Sequence, residues 1–401
     1  MFIKRRPEEC VTVNDPSKAY GGYTLFAGPH NSTDVWLVNM KGQVVHRWEM
    51  SGPLGSDVRL LPNGNQVRVN KTGTEPSGFL GTVGGLMVEV NWEGEVVWKH
   101  ENPSMHHDWR RLPNGNTLLS THVKLPEAVA AKVKGGLADT EPEEGMWGQS
   151  LQEVSPTGEV IWEWKGYEHM DLDTDIACPV CPRHIWGYVN GIDVFPNGDI
   201  VASFRYENQL FIIDRRTGAI KWRWGAWELG HQHNPTVLEN GNILVFDNGF
   251  HRRPPYDTRR TVAETLGSRV LEIDPGTGDI VWEYADENRP RFYSAVCSSA
   301  QRLPNGNTLI CETTAGRIFE VTADKEIVWE FVSPFYEYSN LLGWTNYIFR
   351  AHRYGYDFPG LENKDLDPDR FQFVMREEGK VSVSSSKQEE GARLRMKMLG
   401  Y

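Results

Sequence analysis

The sequence predicts an all-β fold: a six-bladed β-propeller of four-stranded blades, closed by one blade that the two chain ends share. Three observations predict it. The phrase LPNGN or a close variant recurs five times, starting at Leu61, Leu112, Phe195, Leu238 and Leu303. A G-x-hydrophobic-hydrophobic-Trp phrase, or a near copy, follows each, ending at Trp98, Trp162, Trp222, Trp282 and Trp329, and a degenerate GQVVH ends at His46. The leftovers at the two ends supply the strands of one further unit. A repeat of this period overrides the reading of 401 residues as two or three ordinary domains.

Each unit reads as strands A to D. In blade 2, HHDWRRL is strand A, NTLLST strand B, SLQEV strand C and EVIWEW strand D. The Asn-Gly and Thr-Gly turns between them tolerate positive φ and mark hairpins. The flanking Val, Ile, Leu, Thr and Trp alternate as half-buried strands require. The blades are 56–101, 107–165, 190–225, 233–285 and 298–333. YTLFAG, DVWLVNM and QVVHRWEM give strands B to D of the sixth, and NYIFRAHRY (346–354) gives its strand A. Closure of this kind removes open sheet edges. The repeated Trp is expected to pack between blades.

The A–B and C–D turns are tight throughout. Long connections occur only at B–C (123–148 and 249–267) and D–A (166–187, 286–297 and 334–345). Both kinds lie on one face of an up-and-down blade, so the elaboration crowds one mouth of the ring. The propeller is expected to span 1–358. The polar stretch 359–401, with SVSSSKQEEGAR inside it, reads as a tail or an oligomerisation arm, which leaves room for a homo-oligomer.

The formal net charge of −12 argues against nucleic acid or an anionic membrane as partner. No apolar run approaches the roughly 20 residues of a membrane span. The start, MFIKRRPEECVTV, has basic residues with no apolar core behind them, so a cytoplasmic protein is expected, or an exported one if a leader had been trimmed. Five cysteines are too few and odd for a disulfide framework. Cys178 and Cys181 form CPVC without a second such pair; they read as inert thiols, a local redox pair or a metal contribution. No P-loop or GxGxxG run is present, so no cofactor is expected.

Register locates a candidate site. Seven residues before the Asn of each NG turn stand Ser56, His107, Asn190, His233 and Ser298, at the channel end of strand A. Eight residues after it stand Lys71, His122, Arg205, Asn248 and Thr313, at the end of strand B. His106, Tyr188 and His231 lie one or two residues before strand A positions. Five of twelve histidines therefore converge on one channel mouth with Arg205. A lone strand-end histidine is as a rule solvated or hydrogen-bonded, and Tyr188 and Asn190 can simply satisfy channel backbone. His107 and His233, at one register in two blades, and Arg205, which interrupts the buried run IVASFR, point further. Such a set suits a sulfuryl or phosphoryl ester: arginine forks onto two oxygens, and neutral imidazoles donate, exchange protons or attack. The aromatics Trp109, Trp186, Tyr206, Phe250 and Tyr293 are expected to form a rim for an aryl group.

The phrases MHHDWRRLPNGN, YVNGIDVFPNGDIVASFR, HQHNPTVLENGNILVFDNG and AQRLPNGNTL with GRIFEVT and EIVWEF carry a resemblance. Over roughly 20–355 the chain resembles the bacterial arylsulfate sulfotransferases, PAPS-independent propeller enzymes. The resemblance implies transfer of a sulfuryl group from an aryl sulfate to a phenolic acceptor through a sulfo-histidine. It implies His233 as nucleophile, His107 (favoured over His106) and Arg205 as its catalytic companions, and Asn190 as the Asn of the family's H-x-N phrase. His106, His122, Tyr188, His231 and Asn248 join Asn190 as expected substrate-binding residues, and no metal ligand is assigned. The family carries histidine where this chain has Tyr188; His184, four residues earlier, is the nearest substitute. The loop with CPVC and DLDTD is a further departure. Two other readings stay open: a metal-dependent hydrolase, lyase or oxygenase using His106, His107, His122, His231 and His233 as ligands, with Asp57 and Asp108 the only evident channel carboxylates, and a non-catalytic propeller scaffold.

Overall fold

The structure is a computed structural model that describes residues 9–28, 32–72, 84–226, 228–252, 267–339, 343–375 and 381–384. Parts of the expected connections 249–267 and 334–345, and about half of the tail, lie outside these residues. Six small antiparallel sheets make the ring. Blade 1 comprises Leu54–Leu60, Gln66–Asn70, Leu86–Val90 and Val96–Glu101. Blade 2 comprises Met105–Arg111, Thr117–Lys124, Trp147–Val154 and Val160–Lys165. Blade 3 runs through Val189–Val194, Ile200–Phe204, Gln209–Ile213 and Ile220–Trp224, and blade 4 through His233–Val237, Ile243–Asp247, Arg269–Ile273 and Ile280–Tyr284. Blade 5 is Ser299–Arg302, Thr308–Glu312, Arg317–Val321 and Ile327–Val332, with Val11–Asn14 as an added outer strand. In blade 6 the C-terminal Ala351–Gly355 is strand A, paired with Gly22–Ala27, then Asp34–Val38 and Val44–Glu49. The ends therefore close the ring as expected. The added fifth strand of blade 5 was not foreseen.

Local chemistry explains the repeated phrase. In every NG turn the glycine holds φ between 85° and 89° (Gly64, Gly115, Gly198, Gly241 and Gly306), where a Cβ is strained. The turn Asn accepts the N–H two residues on through its side chain, as Asn63 does from Asn65 at 3.0 Å. The residue after the glycine completes the phrase: Asn65, Asn116, Asn242 and Asn307 each donate to a strand C glutamate, namely Glu89, Glu153, Glu272 and Glu320. Blade 3 has Asp199 at that place and Ile212 in place of the glutamate, so two carboxylates never meet; Asp199 pairs with Lys221 instead.

The tryptophans close the ring through hydrogen bonds as well as packing. An indole N–H from each strand D donates to a carbonyl in the C–D turn of the next blade. The pairs are Trp98 to Pro156, Trp164 to Gly218, Trp224 to Gly278, Trp282 to Ala323, Trp329 to Met40 and Trp48 to Asn91. Each contributes about 1 kcal/mol net. In blades 2 and 3 the clasp is the Trp two residues beyond the expected Trp162 and Trp222. Strand periodicity puts both on one face, so the sequence pattern leaves the choice open.

The elaborations share one face. Gly135–Leu137 of the blade 2 B–C connection pairs in parallel with Ala177–Pro182 of the next D–A connection. At the other end of the chain, Leu361 is buried in the cluster that includes Leu60 and Trp92.

Candidate active site at the channel mouth

Strand A bulges where it meets the channel. The A–B register shifts between Leu54 and Val58, Leu119 and Thr121, Val189 and Gly191, and His233 and Thr236. A bulge re-aims side chains beside it. His107, His231, Asn234, Cys297 and Ser298 hold φ of 52°, 51°, 52°, 53° and 79°, left-handed values that cost a non-glycine residue about 1–3 kcal/mol each. These five residues gather at the start of strand A in blades 2, 4 and 5. Gly191 lets two strands meet there: a Cβ would lie 2.8 Å from the Asn234 backbone nitrogen.

His233 is held in one tautomer. Asn248 Nδ2 donates to the carbonyls of Ser294 at 2.7 Å and Cys297 at 3.0 Å. Its Oδ1 therefore faces His233 Nδ1 at 2.8 Å and must accept. The proton sits on Nδ1 and the lone pair on Nε2. Among the described residues the Cys297 N–H approaches Nε2, at a long 3.3 Å. Burial, then Arg205, pushes the imidazole down to about 3, so it is neutral at physiological pH.

Blade 2 supplies three histidines. His106 Nδ1 and His107 Nδ1 lie 2.8 Å apart, so one ring donates and the other accepts. His122 stacks on His106 at 3.8 Å. Burial first, then His106, His233 and His122, hold His107 well below its ordinary range, which ties it to His233 across the channel. Tyr188 stands edge-on to His107 at 4.9 Å. Burial pushes its hydroxyl above the usual range, against Arg205, so it stays protonated. Tyr206 and His184 complete this wall: His184 Nε2 lies 3.4 Å from the Tyr206 hydroxyl, and burial takes His184 down to about 4.

Arg205 is half-buried at the centre. The groups it bears on are Cys181, His184, Tyr188, Tyr206, His231 and His233. Among these described groups there is no carboxylate, and a guanidinium fork suits an anion. Below it the charges cancel. Arg350 reaches Asp108 at 2.8 Å, Asp57 at 3.4 Å and the Asn190 carbonyl at 3.0 Å. Asp57 also takes Arg59 and His352, and Asp108 takes Arg110. These carboxylates build the floor and are spoken for.

The structure brings His107, His233, Arg205, Tyr188, His106 and His122 together as the register implies. Asn248 and Asn190 stand behind them: Asn248 positions His233, and Asn190 donates to the Gln232 carbonyl at 2.8 Å. His231 turns away, its Nε2 3.7 Å from Cys181 Sγ. Two expected rim aromatics are corrected: Trp109 and Trp186 are each 1% exposed and belong to the core, because their strand positions point between blades. Tyr206 is also buried, in the wall just described, while Phe250 and Tyr293 are at least partly open. The five channel histidines form no ligand set among the described residues; the group that does gather is Cys178, Cys181, His231 and His251. Sequence reasoning missed Arg350, His352 and His251. Arg350 immediately precedes the closing strand and His352 lies on it, and that strand has no NG turn to count from.

The fold and site define a class: a β-propeller whose channel mouth gathers neutral imidazoles around Arg205. Within that class the chain belongs to the arylsulfotransferase (ASST) family, whose profile matches residues 57–334. Among solved structures it is similar to a protein of unknown function from Bacteroides caccae, at 12% identity over 82% of this chain and 98% of that one, with a TM-score of 0.52; this supports the fold alone. Virginiamycin B lyase from Staphylococcus aureus scores lower, at 14% identity, 71% coverage of each chain and a TM-score of 0.39. No curated protein matches the chain.

Proposed function

We propose that the chain transfers a sulfuryl group from an aryl sulfate to a phenolic acceptor through a sulfo-histidine at His233. The observation that carries this reading is the fixed tautomer of His233, with its Nε2 lone pair met at a long 3.3 Å by the Cys297 N–H and the ring within the field of Arg205. Membership of the arylsulfotransferase family supports the same chemistry.

The sulfate lies against Arg205, whose planar fork matches two of its oxygens. His233 Nε2 attacks sulfur in line; the N–S bond forms as the S–O(aryl) bond breaks. The positive charge that grows on the ring strengthens the Nδ1–H bond to Asn248 Oδ1. The Cys297 N–H, displaced from Nε2, faces the sulfuryl oxygens as charge develops there. The phenolate leaves and takes a proton. In the second half the acceptor phenol attacks sulfur, the N–S bond breaks, and the acceptor returns a proton. The proton-carrying groups for these steps are His107, on which His233 bears, and its neighbours His106 and Tyr188. A tyrosine hydroxyl can give a hydrogen bond to the leaving oxygen as histidine does in the family, so the departure at Tyr188 keeps that role.

The test is nitrophenol release from 4-nitrophenyl sulfate with and without phenol. Phenol-dependent release in the wild type, lost in His233→Ala, is expected. Absence of release with any phenolic acceptor, from folded protein, refutes the proposal.

A further inference from the structure

We propose that Cys178, Cys181, His231 and His251 bind one zinc ion. None of these four serves the transfer step. The two cysteines are free, and all four ligand atoms lie within 4.8 Å of one another. Cys178 Sγ is 3.5 Å and Cys181 Sγ 3.4 Å from His251 Nδ1, and Cys181 Sγ is 3.7 Å from His231 Nε2. A tetrahedral ion at about 2.3 Å from sulfur and about 2.0 Å from nitrogen sets sulfur–nitrogen edges of about 3.5 Å. The three separations match that figure. Two thiolates and two imidazoles are a donor set for zinc rather than for calcium or magnesium. Binding displaces both thiol protons, so the dication and two thiolates sum to zero charge, which suits a buried site beside Arg205.

The backbone is built for the cluster. His231 and His251 both hold left-handed φ, of 51° and 55°. Asn208 braces the pair: its Oδ1 accepts the His231 N–H at 2.8 Å and its Nδ2 donates to the His251 carbonyl at 3.4 Å. The ligands come from three segments. The cysteines lie on Ala177–Pro182 in the connection from blade 2 to blade 3, His231 precedes strand A of blade 4, and His251 follows strand B of blade 4. Four protein ligands fill the tetrahedron, so the ion is structural. It staples the connecting loop to blade 4 and fixes the wall behind Arg205, whose charge bears on Cys181. This inference does not depend on the transfer reaction.

The experiment uses the untagged full chain, stripped with a chelator, reconstituted with zinc or cobalt and dialysed. Elemental analysis is expected to find one metal per chain. The cobalt form is expected to show tetrahedral d–d bands with sulfur-to-cobalt charge transfer. Cys181→Ser and His251→Ala are expected to lose most of the metal, while His233→Ala keeps it and loses only transfer. Where a variant fails to fold, the wild-type cobalt spectrum still decides. Folded wild type that retains no metal after reconstitution, or an octahedral spectrum without sulfur ligation, overturns the proposal. So does full metal in folded Cys181→Ser, or two thiols recovered as a disulfide in protein that cannot be loaded after reduction.

Discussion

Asn248→Ala separates positioning of the nucleophile from binding of the substrate. The side chain makes three hydrogen bonds, at 2.8 Å to His233 and at 2.7 and 3.0 Å to two carbonyls. Their loss leaves a buried N–H and two carbonyls unpaired, a stability cost of about 2–4 kcal/mol at about 1 kcal/mol each. The kinetic effect is separate. In the transition state the bond from Nδ1–H is charge-assisted and contributes about 1.5–3 kcal/mol, a factor of roughly 10–150 in the rate of His233 attack. The ring also becomes free to place its proton on Nε2, where it cannot attack. Since Asn248 touches the imidazole and not the sulfate, KM stays near the wild-type value. The assay is stopped-flow nitrophenol release, with urea melts for stability. A folded variant that is sulfurylated at the wild-type rate refutes the reasoning, because the tautomer lock then contributes nothing.

Three other substitutions probe the rest. Arg205→Lys keeps the charge but loses the fork, so kcat falls by about 10²–10³, the usual loss for one transition-state donor; unchanged kcat places the sulfate elsewhere. Tyr188→Phe slows esters of basic phenols more than the nitrophenyl ester, whose leaving group needs little help; equal slowing of both contradicts its role at the leaving oxygen. His46 tests the buried imidazoles away from the site. Its ring stacks on Trp92 at 3.9 Å, and burial takes it from 6.5 to about 4. The unfolded chain therefore takes up the proton first as pH falls. His46 contributes stability that is fully present above pH 6.5 and lost towards pH 4, roughly 2–3 kcal/mol. His46→Phe is expected to reduce the difference between urea melts at pH 7 and pH 4.5 by about that amount; an unchanged difference refutes it.

The ring was legible because its turns are local. In blades 1, 2, 4 and 5 the Asn after the glycine bonds the strand C glutamate of its own blade, so the phrase recurs with the structure. His107, His233 and Arg205 were legible for the same reason, as fixed offsets from a turn. What depends on closure was not. Arg350 stands just before a strand whose partner is the chain's other end, and no turn sets its register. His251 lies beyond the end of strand B, and it meets Cys178 and Cys181 only once blade 4 has folded beside the preceding loop. CPVC alone lacked a second pair; the missing ligands were two histidines from that blade. The clasping Trp164 and Trp224 share a strand face with Trp162 and Trp222, and only the neighbouring blade decides between them.

The account rests most directly on a covalent bond at His233. Rapid mixing with 4-nitrophenyl sulfate in the absence of acceptor, quenching in base and peptide mass analysis measure it. The account predicts a gain of one SO₃ group on the His233 peptide, formed as fast as the first nitrophenol appears and discharged when phenol is added. Phenol-dependent transfer with no adduct on that peptide, or an adduct on another residue that discharges at the catalytic rate, contradicts it.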